Sequence, residues 1–332
     1  MSENILTVKD LKTYFYTASG IAKAVDGVSF NIAKGETMGI VGESGSGKSV
    51  TSSSIIRLLP PRTGKIVGGS IEFEGKDVLA LSKKELNDFR GKDIAVIFQD
   101  PMTSLDPVFK IGKQMTEMIM AHQNVTKDEA WKMAVEALSK VGIPEPEKRM
   151  NSYPYELSGG MCQRVIIAMA VCCKPKLIIA DEPTTALDVT VQAQVLELLK
   201  ELQRDMDTAI LLITHNLGVV WEMCDKVMVM YAGNTVEFTD TKTLYSNPRH
   251  PYTWGLLDSM PKLSDESKGE LKTIPGTPPD LRLTGECCNF YNRCPYVTEA
   301  CTQSVPPLVE VEPGHFVACH RQNLTNKLEK GE

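Results

Sequence analysis

The loop from Gly42 to Ser49 constrains this chain more than any other feature, because its sequence GESGSGKS fits the spacing G-x-x-x-x-G-K-S. An apolar run from Glu36 to Val41 comes before it. A helical pattern from about Lys48 to Leu59 comes after it and must stop at Pro60-Pro61. Glycines permit positive φ and a close approach of the backbone, so successive N–H groups can surround phosphate oxygens at a helix N-terminus. The pattern therefore predicts a strand, a phosphate-binding loop and a helix.

The side chains at the end of this loop have the chemistry that a nucleotide and its metal ion require. We expect Lys48 to reach the β- and γ-phosphates and Ser49 to offer its hydroxyl to Mg²⁺. The predicted nucleotide cradle consists of Gly42, Ser44, Gly45, Gly47, Lys48 and Ser49.

A second apolar run, Leu177 to Ala180, ends in two acids, Asp181 and Glu182. At the carboxyl edge of a strand, the first acid can hold the ligand shell of Mg²⁺ and the second can polarise an attacking water. Taken alone, a solvated acidic pair that opens the turn at Pro183 would be the better explanation. The phosphate loop in the same chain favours the catalytic interpretation.

The apolar runs of the first 240 residues predict an α/β fold. Ile94 to Phe98, Leu177 to Ala180 and Ile210 to Ile213 are short and bounded by polar residues, as buried parallel strands are. Apolar residues from Val191 to Leu202 recur at helical spacing, so a crossover helix is expected between the last two strands. Short β-like runs between Ile5 and Ile32 predict a small antiparallel layer.

The pattern changes twice along the chain. The stretch from about Pro101 to Ser158 predicts an all-helical insertion, with helices at Ile111 to His122 and Lys127 to Val141. A Gly233-Asn234 turn joins two strand-like runs, and prolines become frequent after Asn247. We expect a second, loop-rich domain in this last part.

Length and charge limit the functional classes. A chain of 332 residues suggests about two domains, and a formal charge of −6 gives no basic field for nucleic acid. The longest apolar runs, such as Val165 to Cys173, reach about nine residues, well below the roughly 20 that cross a bilayer. The N-terminus, Met1-Ser-Glu-Asn4, does not resemble a secretory signal, so we expect a cytoplasmic chain.

The segment Leu157-Ser-Gly-Gly-Met161 resembles the signature L-S-G-G-Q of the ABC ATPase family, from which only Met161 departs. The resemblance implies that Ser158 and Gly160 grip the γ-phosphate of ATP bound to a second subunit. A helix from Met161 to Cys173 would present its N-terminus to this anion. The departure leaves the assignment intact, because the phosphate contacts come from the preceding residues.

Three further positions are similar to loops of the same family. Gln99 resembles the Q-loop glutamine, which contacts Mg²⁺ and water. Asp188, in Ala186-Leu-Asp188, resembles the D-loop that crosses to the other subunit. His215 resembles the switch histidine that steadies the γ-phosphate, although Asn216 stands beside it where many relatives carry Asp. The resemblance assigns catalysis to Lys48, Gln99, Glu182 and His215, and Mg²⁺ to Ser49, Gln99 and Asp181.

An aromatic side chain near the N-terminus is expected to stack on adenine. Phe15 matches the position of that aromatic residue in the family. Tyr14 or Tyr16 would serve if the register differs by one residue.

The resemblance implies a P-loop NTPase (RecA-like) α/β fold with a parallel sheet, an antiparallel β layer and a helical subdomain at about residues 101–160. Residues 1–240 would form the ABC ATPase domain. Residues 241–332 would form a small, irregular C-terminal domain.

This tail resembles the extension of ATPases that serve oligopeptide, dipeptide and nickel importers. Asn247 to Thr253, with the sequence NPRHPYT, matches its start. The family pattern G-C-x-F-x-x-R-C-P, a later Cys, P-P-L and A-C-H corresponds to Cys288 to Pro295, Cys301, Pro306 to Leu308 and Ala318 to His320. The resemblance implies an ATP-hydrolysing subunit of a di- or oligopeptide importer, with nickel as the alternative cargo.

Five of the nine cysteines lie in the last 46 residues, which in a reducing cytosol favours a metal site over disulfides. Cys288, Cys294, Cys301 and Cys319 are separated by five, six and 17 residues, looser than the paired spacing typical of structural zinc. Four thiolates so spaced fit a [4Fe–4S] cluster, to which the resemblance also points. Zn²⁺ and free or oxidised thiols stay open, and Cys287 is additional to the pattern unless it replaces Cys288.

The resemblance also implies partners. The chain would pair with a second ABC ATPase subunit, a paralogue, at the cytoplasmic face of the membrane. The pair would drive two membrane-spanning permease subunits, with an extracytoplasmic binding protein acting indirectly and no nucleic acid involved. A non-transport ABC protein, such as a translation factor or a DNA-repair ATPase, is the rival class. A single phosphate loop and an insertion of only about 60 residues disfavour it.

Overall fold

The computed structural model describes residues 3–185, 187–260 and 273–321. They form two compact units, each assembled from separate stretches of the chain. The first unit comprises Met1–Ile5, Ala33–Glu36 and Ala80–Leu212, and the second comprises Leu6–Ile32, Thr37–Leu79 and Ile213–Glu332, within the described ranges. The domain boundary predicted at residue 240 stays a prediction.

Strands and helices alternate from residue 177 to residue 231, and runs of strands or of helices make up most of the rest of the described chain. The strands are β1 (Asn4–Thr17), β2 (Gly20–Ala33), β3 (Thr37–Val41), β4 (Gly64–Phe73), β5 (Lys76–Asp77), β6 (Ile94–Ile97), β7 (Leu177–Asp181), β8 (Ala209–Thr214), β9 (Lys226–Tyr231), β10 (Asn234–Asp240), β11 (Val309–Glu312) and β12 (His315–Val317). The helices are α1 (Lys48–Ile55), α2 (Lys83–Asp88), α3 (Pro101–Ser104), α4 (Ile111–His122), α5 (Lys127–Lys140), α6 (Pro146–Arg149), α7 (Gly159–Val171), α8 (Val189–Met206), α9 (Leu217–Met223), α10 (Thr241–Ser246), α11 (Pro251–Asp258) and α12 (Glu299–Gln303).

The second unit contains two groups of strands. An antiparallel sheet has the order β2-β1-β4-β5, which is the predicted antiparallel layer with longer strands than expected. The other group has the order β11-β12-β10-β9-β3, in which β3 and β9 run parallel and the remaining neighbours run antiparallel. The tail therefore contributes β11 and β12 to the same group of strands as β3, which leads into the glycine-rich loop.

The first unit places β7 between β6 and β8, and β6 pairs with β7 in parallel. All five residues of β7 are buried, as expected for a strand covered on both faces. Helices α4, α5 and α7 pack on one another as the helical insertion. A capping box fixes the start of α5, because the Thr126 hydroxyl accepts from the Glu129 N–H and the Glu129 carboxylate accepts from the Thr126 N–H.

Helix α1 is shorter than predicted: it ends at Ile55 and not at Leu59. The backbone of Arg57 turns into the left-handed region with φ 54°. The N–H groups of Leu58 and Arg57 then donate to the carbonyls of Ser53 and Ser54. This Schellman arrangement closes the helix before the two prolines are reached, although Arg57 is not the glycine that usually occupies such a position.

Helix α7 starts two residues before the predicted Met161, with Ser158 as its N-cap. Helix α4 has the predicted bounds, and α5 ends one residue early. No helix within the described ranges combines the length and the apolar character needed to cross a bilayer.

Candidate functional site

The glycine-rich loop lies directly against the backbone of neighbouring strands in the second unit. Gly42 and Gly47 have φ values of 153° and 104°. A Cβ atom at Gly42 would lie 2.2 Å from the carbonyl oxygen of Met230, and one at Gly47 would lie 2.2 Å from that of Ala24. Only glycine satisfies both the torsion angle and the approach of the carbonyl at these two positions.

The same loop leaves open space and an uncommitted polar atom where an anion would bind. Gly45 has φ 79°, and no atom lies within 4 Å of a Cβ placed there. The buried Oγ of Ser46 has no hydrogen-bond partner in the described part of the chain. Lys48, only 5% exposed, donates from Nζ to the carbonyl oxygens of Gly42 and Glu43 at 2.8 and 2.9 Å. A phosphate fits this loop, because the space at Gly45 holds no competing side chain and the same loop carries a hydroxyl without a partner and an ammonium.

The remaining loop residues are at the surface. Ser44 and Ser49 are both exposed, which suits a hydroxyl that must meet a metal ion or a phosphate from solvent. Among the aromatic candidates, Tyr14 is already engaged, since its hydroxyl donates to Asp26 at 2.8 Å. Burial, followed by this hydrogen bond, raises the pKa of Tyr14 to about 12.

The position of Phe15 is set by the alternation of side chains along β1. Thr13, two residues earlier on the same face, makes a buried 2.8 Å hydrogen bond with Ser54 of α1. Phe15 is therefore on the face of β1 that packs on the helix after the phosphate loop. Tyr16 is on the opposite face, 40% exposed, with the Lys65 ammonium 5.3 Å from its ring centre. This placement favours Phe15 over Tyr14 and Tyr16.

In the first unit, the end of β7 brings together two of the predicted catalytic side chains. Asp181 is the last residue of β7 and is buried. Glu182 follows with φ 47°, a left-handed conformation that a non-glycine residue adopts at a cost of roughly 1 kcal/mol. Its Oε2 accepts hydrogen bonds from Gln99 Nε2 and Thr185 Oγ1, each at 2.9 Å. The strained backbone and the two donors together fix the direction of this carboxylate.

The signature segment and the D-loop segment lie next to each other in the same unit. Ser158 caps α7, its Oγ accepting from the Met161 N–H at 3.3 Å, and the residue remains exposed. Asp188 caps α8 in the same way, accepting from the Val191 N–H at 3.0 Å. A Cβ at Gly160 would lie 2.9 Å from Val191 Cγ1, so the absence of a side chain there lets the two helix starts approach.

His215 follows β8 and is exposed. Its neighbour Asn216 caps α9, with Oδ1 accepting from the Gly218 N–H at 2.9 Å. Asparagine and aspartate are equally good N-caps, so the substitution noted in the sequence preserves the local structure beside His215.

The four cysteines of the tail pattern line one pocket in the second unit. Cys288, Cys294, Cys301 and Cys319 face it, together with His250 and His320. Every one of the nine cysteines has a free thiol. Cys287 is not among the pocket residues, which favours Cys288 as the member of the pattern.

A backbone N–H group points at one of these sulfur atoms: that of Arg321 donates to the thiol of Cys319 at 3.4 Å. Burial raises the pKa of Cys288 to about 12 and that of Cys294 to about 11, and the neighbouring thiols raise both further. The donor at Cys319 suits sulfur that carries negative charge, which the buried pocket by itself disfavours.

Within residues 3–185, 187–260 and 273–321, no group of three or more His, Cys, Asp or Glu side chains is arranged to hold a metal ion. The predicted [4Fe–4S] cluster and its Zn²⁺ alternative are therefore both unconfirmed.

One contact of the phosphate loop was not predicted from sequence. The guanidinium of Arg293, a residue of the tail pattern, makes a paired hydrogen bond with the carboxylate of Glu43. Both residues stand in recognisable motifs, but the sequence gives no signal that the two motifs meet.

Two family models match the chain. Residues 25–185 match the model described as ABC transporter, and residues 236–301 match the one described as oligopeptide/dipeptide transporter, C-terminal region. The oligopeptide transport ATP-binding protein OppD of Bacillus subtilis is 54% identical over 94% of this chain and 87% of its own length. The dipeptide transport ATP-binding protein DppD of the same species is 50% identical over 97% and 96%.

The chain belongs to the ABC transporter ATPase family. A solved dimeric ATP-binding cassette in a post-hydrolysis state, bound to ADP and Pi, is 27% identical with a TM-score of 0.64, over 71% of this chain and 98% of its own. The predicted family, P-loop fold and ATPase class are confirmed. The roles of individual site residues in this ABC ATPase stay predictions.

The two loop glycines predict different effects of one added methyl group. Gly47→Ala should abolish ATP binding and destabilise the ABC ATPase, because its Cβ would meet the Ala24 carbonyl oxygen. Gly45→Ala meets no protein atom, so the free energy of unfolding should fall by only the roughly 1 kcal/mol that a left-handed alanine costs; its methyl group would occupy the space proposed for phosphate, so ATP binding should weaken in this variant too. Urea unfolding distinguishes the two variants, and calorimetric titration measures the loss of ATP binding. Equal losses of unfolding free energy in the two would contradict the close approach at Gly47.

Proposed function

We propose that this chain is the ATP-hydrolysing subunit of an importer for di- or oligopeptides, acting at the cytoplasmic face of the membrane. The observation that carries the proposal is the combination of an ABC ATPase with a tail that matches the oligopeptide/dipeptide transporter C-terminal region over residues 236–301. A translation factor or a repair ATPase gives no reason for such a tail.

The loop residues supply the binding half of the chemistry. The N–H groups of Ser44, Gly45, Gly47 and Lys48 and the Lys48 ammonium offer positive charge to the phosphates, and nucleotide binding would replace the bonds from Lys48 to the loop carbonyls. Phe15 stacks on adenine. We keep Ser49, Gln99 and Asp181 as the proposed ligands of Mg²⁺, which supplies further positive charge to the phosphates when it is bound.

Glu182 acts on the water that attacks the γ-phosphate. This role of Glu182 is supported by its hydrogen bonds with Gln99 and Thr185 and by its left-handed backbone. These features hold the carboxylate in place before any ligand binds. A pre-positioned acceptor lowers the barrier because it needs no reorganisation at the moment of reaction. His215 is proposed to steady the γ-phosphate from its exposed position after β8.

Ser158 and Gly160 are proposed to bind the ATP of a second ATPase subunit, with Asp188 beside them. All three are at exposed or half-exposed helix starts, where free N–H groups attract anions. A dimeric ATP-binding cassette among the solved structures supports such pairing. We propose a paralogue as the second subunit, two permeases as the membrane partners, and a substrate-binding protein that acts through the permeases.

Peptides are the preferred cargo. The two curated relatives described above are named for oligopeptide and dipeptide transport, which favours peptides over nickel. The cargo itself is selected by the binding protein and the permeases.

We propose in addition that Cys288, Cys294, Cys301 and Cys319 hold a [4Fe–4S] cluster. Support comes from their common pocket, their free thiols and the N–H of Arg321, which donates to the Cys319 sulfur. In a cubane cluster each thiolate binds a different iron, so the ligands stand farther apart than ligands of one ion. A pocket that is not arranged for one metal ion therefore disfavours zinc more than it disfavours the cluster. Such a cluster would supply covalent cross-links within the tail.

Reconstitution tests the proposed function. The full chain is assembled in vesicles with its membrane subunits, the partner ATPase and the binding protein, and ATP hydrolysis is measured with a peptide or Ni²⁺ as cargo. We expect stimulation by peptide and peptide accumulation in the direction of import. Stimulation of ATP hydrolysis by Ni²⁺ alone would mean that nickel, and not peptide, is the cargo. ATP hydrolysis that does not change when the membrane subunits are present would contradict the transport role.

Glu182→Gln should bind ATP with near wild-type affinity yet hydrolyse it about 10²- to 10⁴-fold more slowly, because the amide keeps the shape but cannot take up a proton. Nucleotide titration and phosphate release measure the two quantities. Glu201→Gln, at an exposed position of α8, is the matched control and should hydrolyse normally. Wild-type turnover in the Glu182 variant would remove the assigned role.

Cys294→Ser should lose the iron and acid-labile sulfide that we expect in anaerobically purified full chain, together with absorbance in the blue region. Cys287→Ser is the matched control, because Cys287 is not among the pocket residues, and it should retain all three signals. Stoichiometric zinc without sulfide, or free thiols without metal, would contradict the cluster.

A further inference from the structure

An arginine of the tail, Arg293, contacts the phosphate loop. Both Nη atoms of Arg293 donate to the carboxylate of Glu43, the second residue of the loop, at 2.5 and 2.9 Å. The Arg293 side chain is only 5% exposed and that of Glu43 29% exposed, so solvent screens this pair little. A two-pronged bond of this kind fixes direction as well as distance.

Every N–H donor of the Arg293 guanidinium makes a hydrogen bond in this position. Its Nε donates to the carbonyl of Pro275 at 2.9 Å, and its Nη atoms donate further to the carbonyl of Ile274 and to the Tyr231 hydroxyl at 3.2 and 3.3 Å. Together with the two bonds to Glu43, each of the five N–H groups of the guanidinium has an acceptor. A lysine has three donors and no planar fork, so it could not make the same set of bonds.

A second contact from the tail fixes the backbone of the same loop residue. The N–H of Glu43 donates to the Tyr252 hydroxyl at 2.8 Å. Tyr252 belongs to α11, is fully buried, and packs with Tyr231 and Phe290 at ring distances of 4.7 and 5.4 Å. This aromatic group makes the tyrosine hydroxyl a rigid acceptor.

Glu43 in turn shapes the part of the loop that meets phosphate. Its carbonyl oxygen accepts from the Ser46 N–H at 3.2 Å and from Lys48 Nζ at 2.9 Å. The tail therefore contacts a loop residue whose side chain, N–H and carbonyl are all hydrogen-bonded before a nucleotide arrives. The loop residues proposed to meet phosphate follow directly after this fixed point.

We propose that Arg293 and Tyr252 are positioning residues, by which the tail pre-organises the phosphate loop for ATP. The inference rests on the proposed binding of ATP by this loop. Without Arg293 and Tyr252, Glu43 loses the bonds that fix its carboxylate and its N–H. The entropy lost in ordering the loop then opposes ATP binding. Pre-organisation of this kind appears in nucleotide affinity and leaves the chemical step largely unchanged.

The experiment measures KM for ATP, kcat and ATP affinity of the full chain in its assembled transporter, purified anaerobically. Arg293→Met and Glu43→Gln should each raise KM and the dissociation constant about tenfold, with kcat within about twofold of wild type. Arg293→Lys should resemble Arg293→Met. The double variant should be no worse than Arg293→Met, because both changes remove the same interaction.

Arg249→Met is the matched control. It breaks another partly buried ion pair of the tail, that between Arg249 and Glu312, and should leave KM unchanged. Tyr252→Phe removes only the acceptor for the Glu43 N–H and keeps the ring packing, so it tests the second contact should Arg293→Met fail to fold. Iron content and urea unfolding of each variant show whether the tail is intact.

Two outcomes would overturn the proposal. One is an unchanged KM in Arg293→Met and Tyr252→Phe variants whose tails are intact. The other is a double variant in which the increases in KM caused by the Arg293 and Glu43 substitutions multiply, which would mean that the two residues act independently. Failure of the wild-type chain to bind ATP would instead refute the proposed function of the loop, which the same titration shows first.

Discussion

The carbonyl oxygens of Ala24 and Met230 occupy the space that side chains at Gly47 and Gly42 would need. The phosphate loop depends on this contact, because it holds the loop against Ala24 of β2 and Met230 of β9. A loop carried on buried strands moves little, so the phosphate cradle exists before a ligand does. The glycine spacing is thus a packing requirement as much as a torsional one.

Glu182 also has a backbone conformation that lowers stability while it fixes the direction of the side chain. Its φ of 47° is unfavourable for a residue with a side chain, and no glycine stands there to avoid it. The carboxylate that follows β7 accepts from both Gln99 and Thr185 through one oxygen, Oε2. Departures from local preference are expected where function and not folding selects the residue.

Local patterns predicted much of this structure, because short apolar runs and helical periodicity depend on neighbours along the chain. The bounds of α4 and the succession of strand, loop and helix around the phosphate loop follow from such patterns. The end of α1 does not, since nothing in the identity of Arg57 announces a left-handed cap. The bond between Glu43 and Arg293 spans 250 residues of sequence, and no periodicity links positions so distant. The choice of Phe15 over Tyr14 and Tyr16 as the proposed aromatic residue for adenine also required the structure. It depends on which face of β1 meets Ser54.

The bond between Glu43 and Arg293 also connects the phosphate loop to the cysteine pocket of the tail. Arg293 immediately precedes Cys294, so the turn that presents the guanidinium to Glu43 is the turn that presents a thiol to the cysteine pocket. The carbonyls of Pro275 and Ile274 accept from the same guanidinium, so Arg293 is held on both sides of the turn. A tail of this kind is a structural support of the nucleotide site and not an appendage to it.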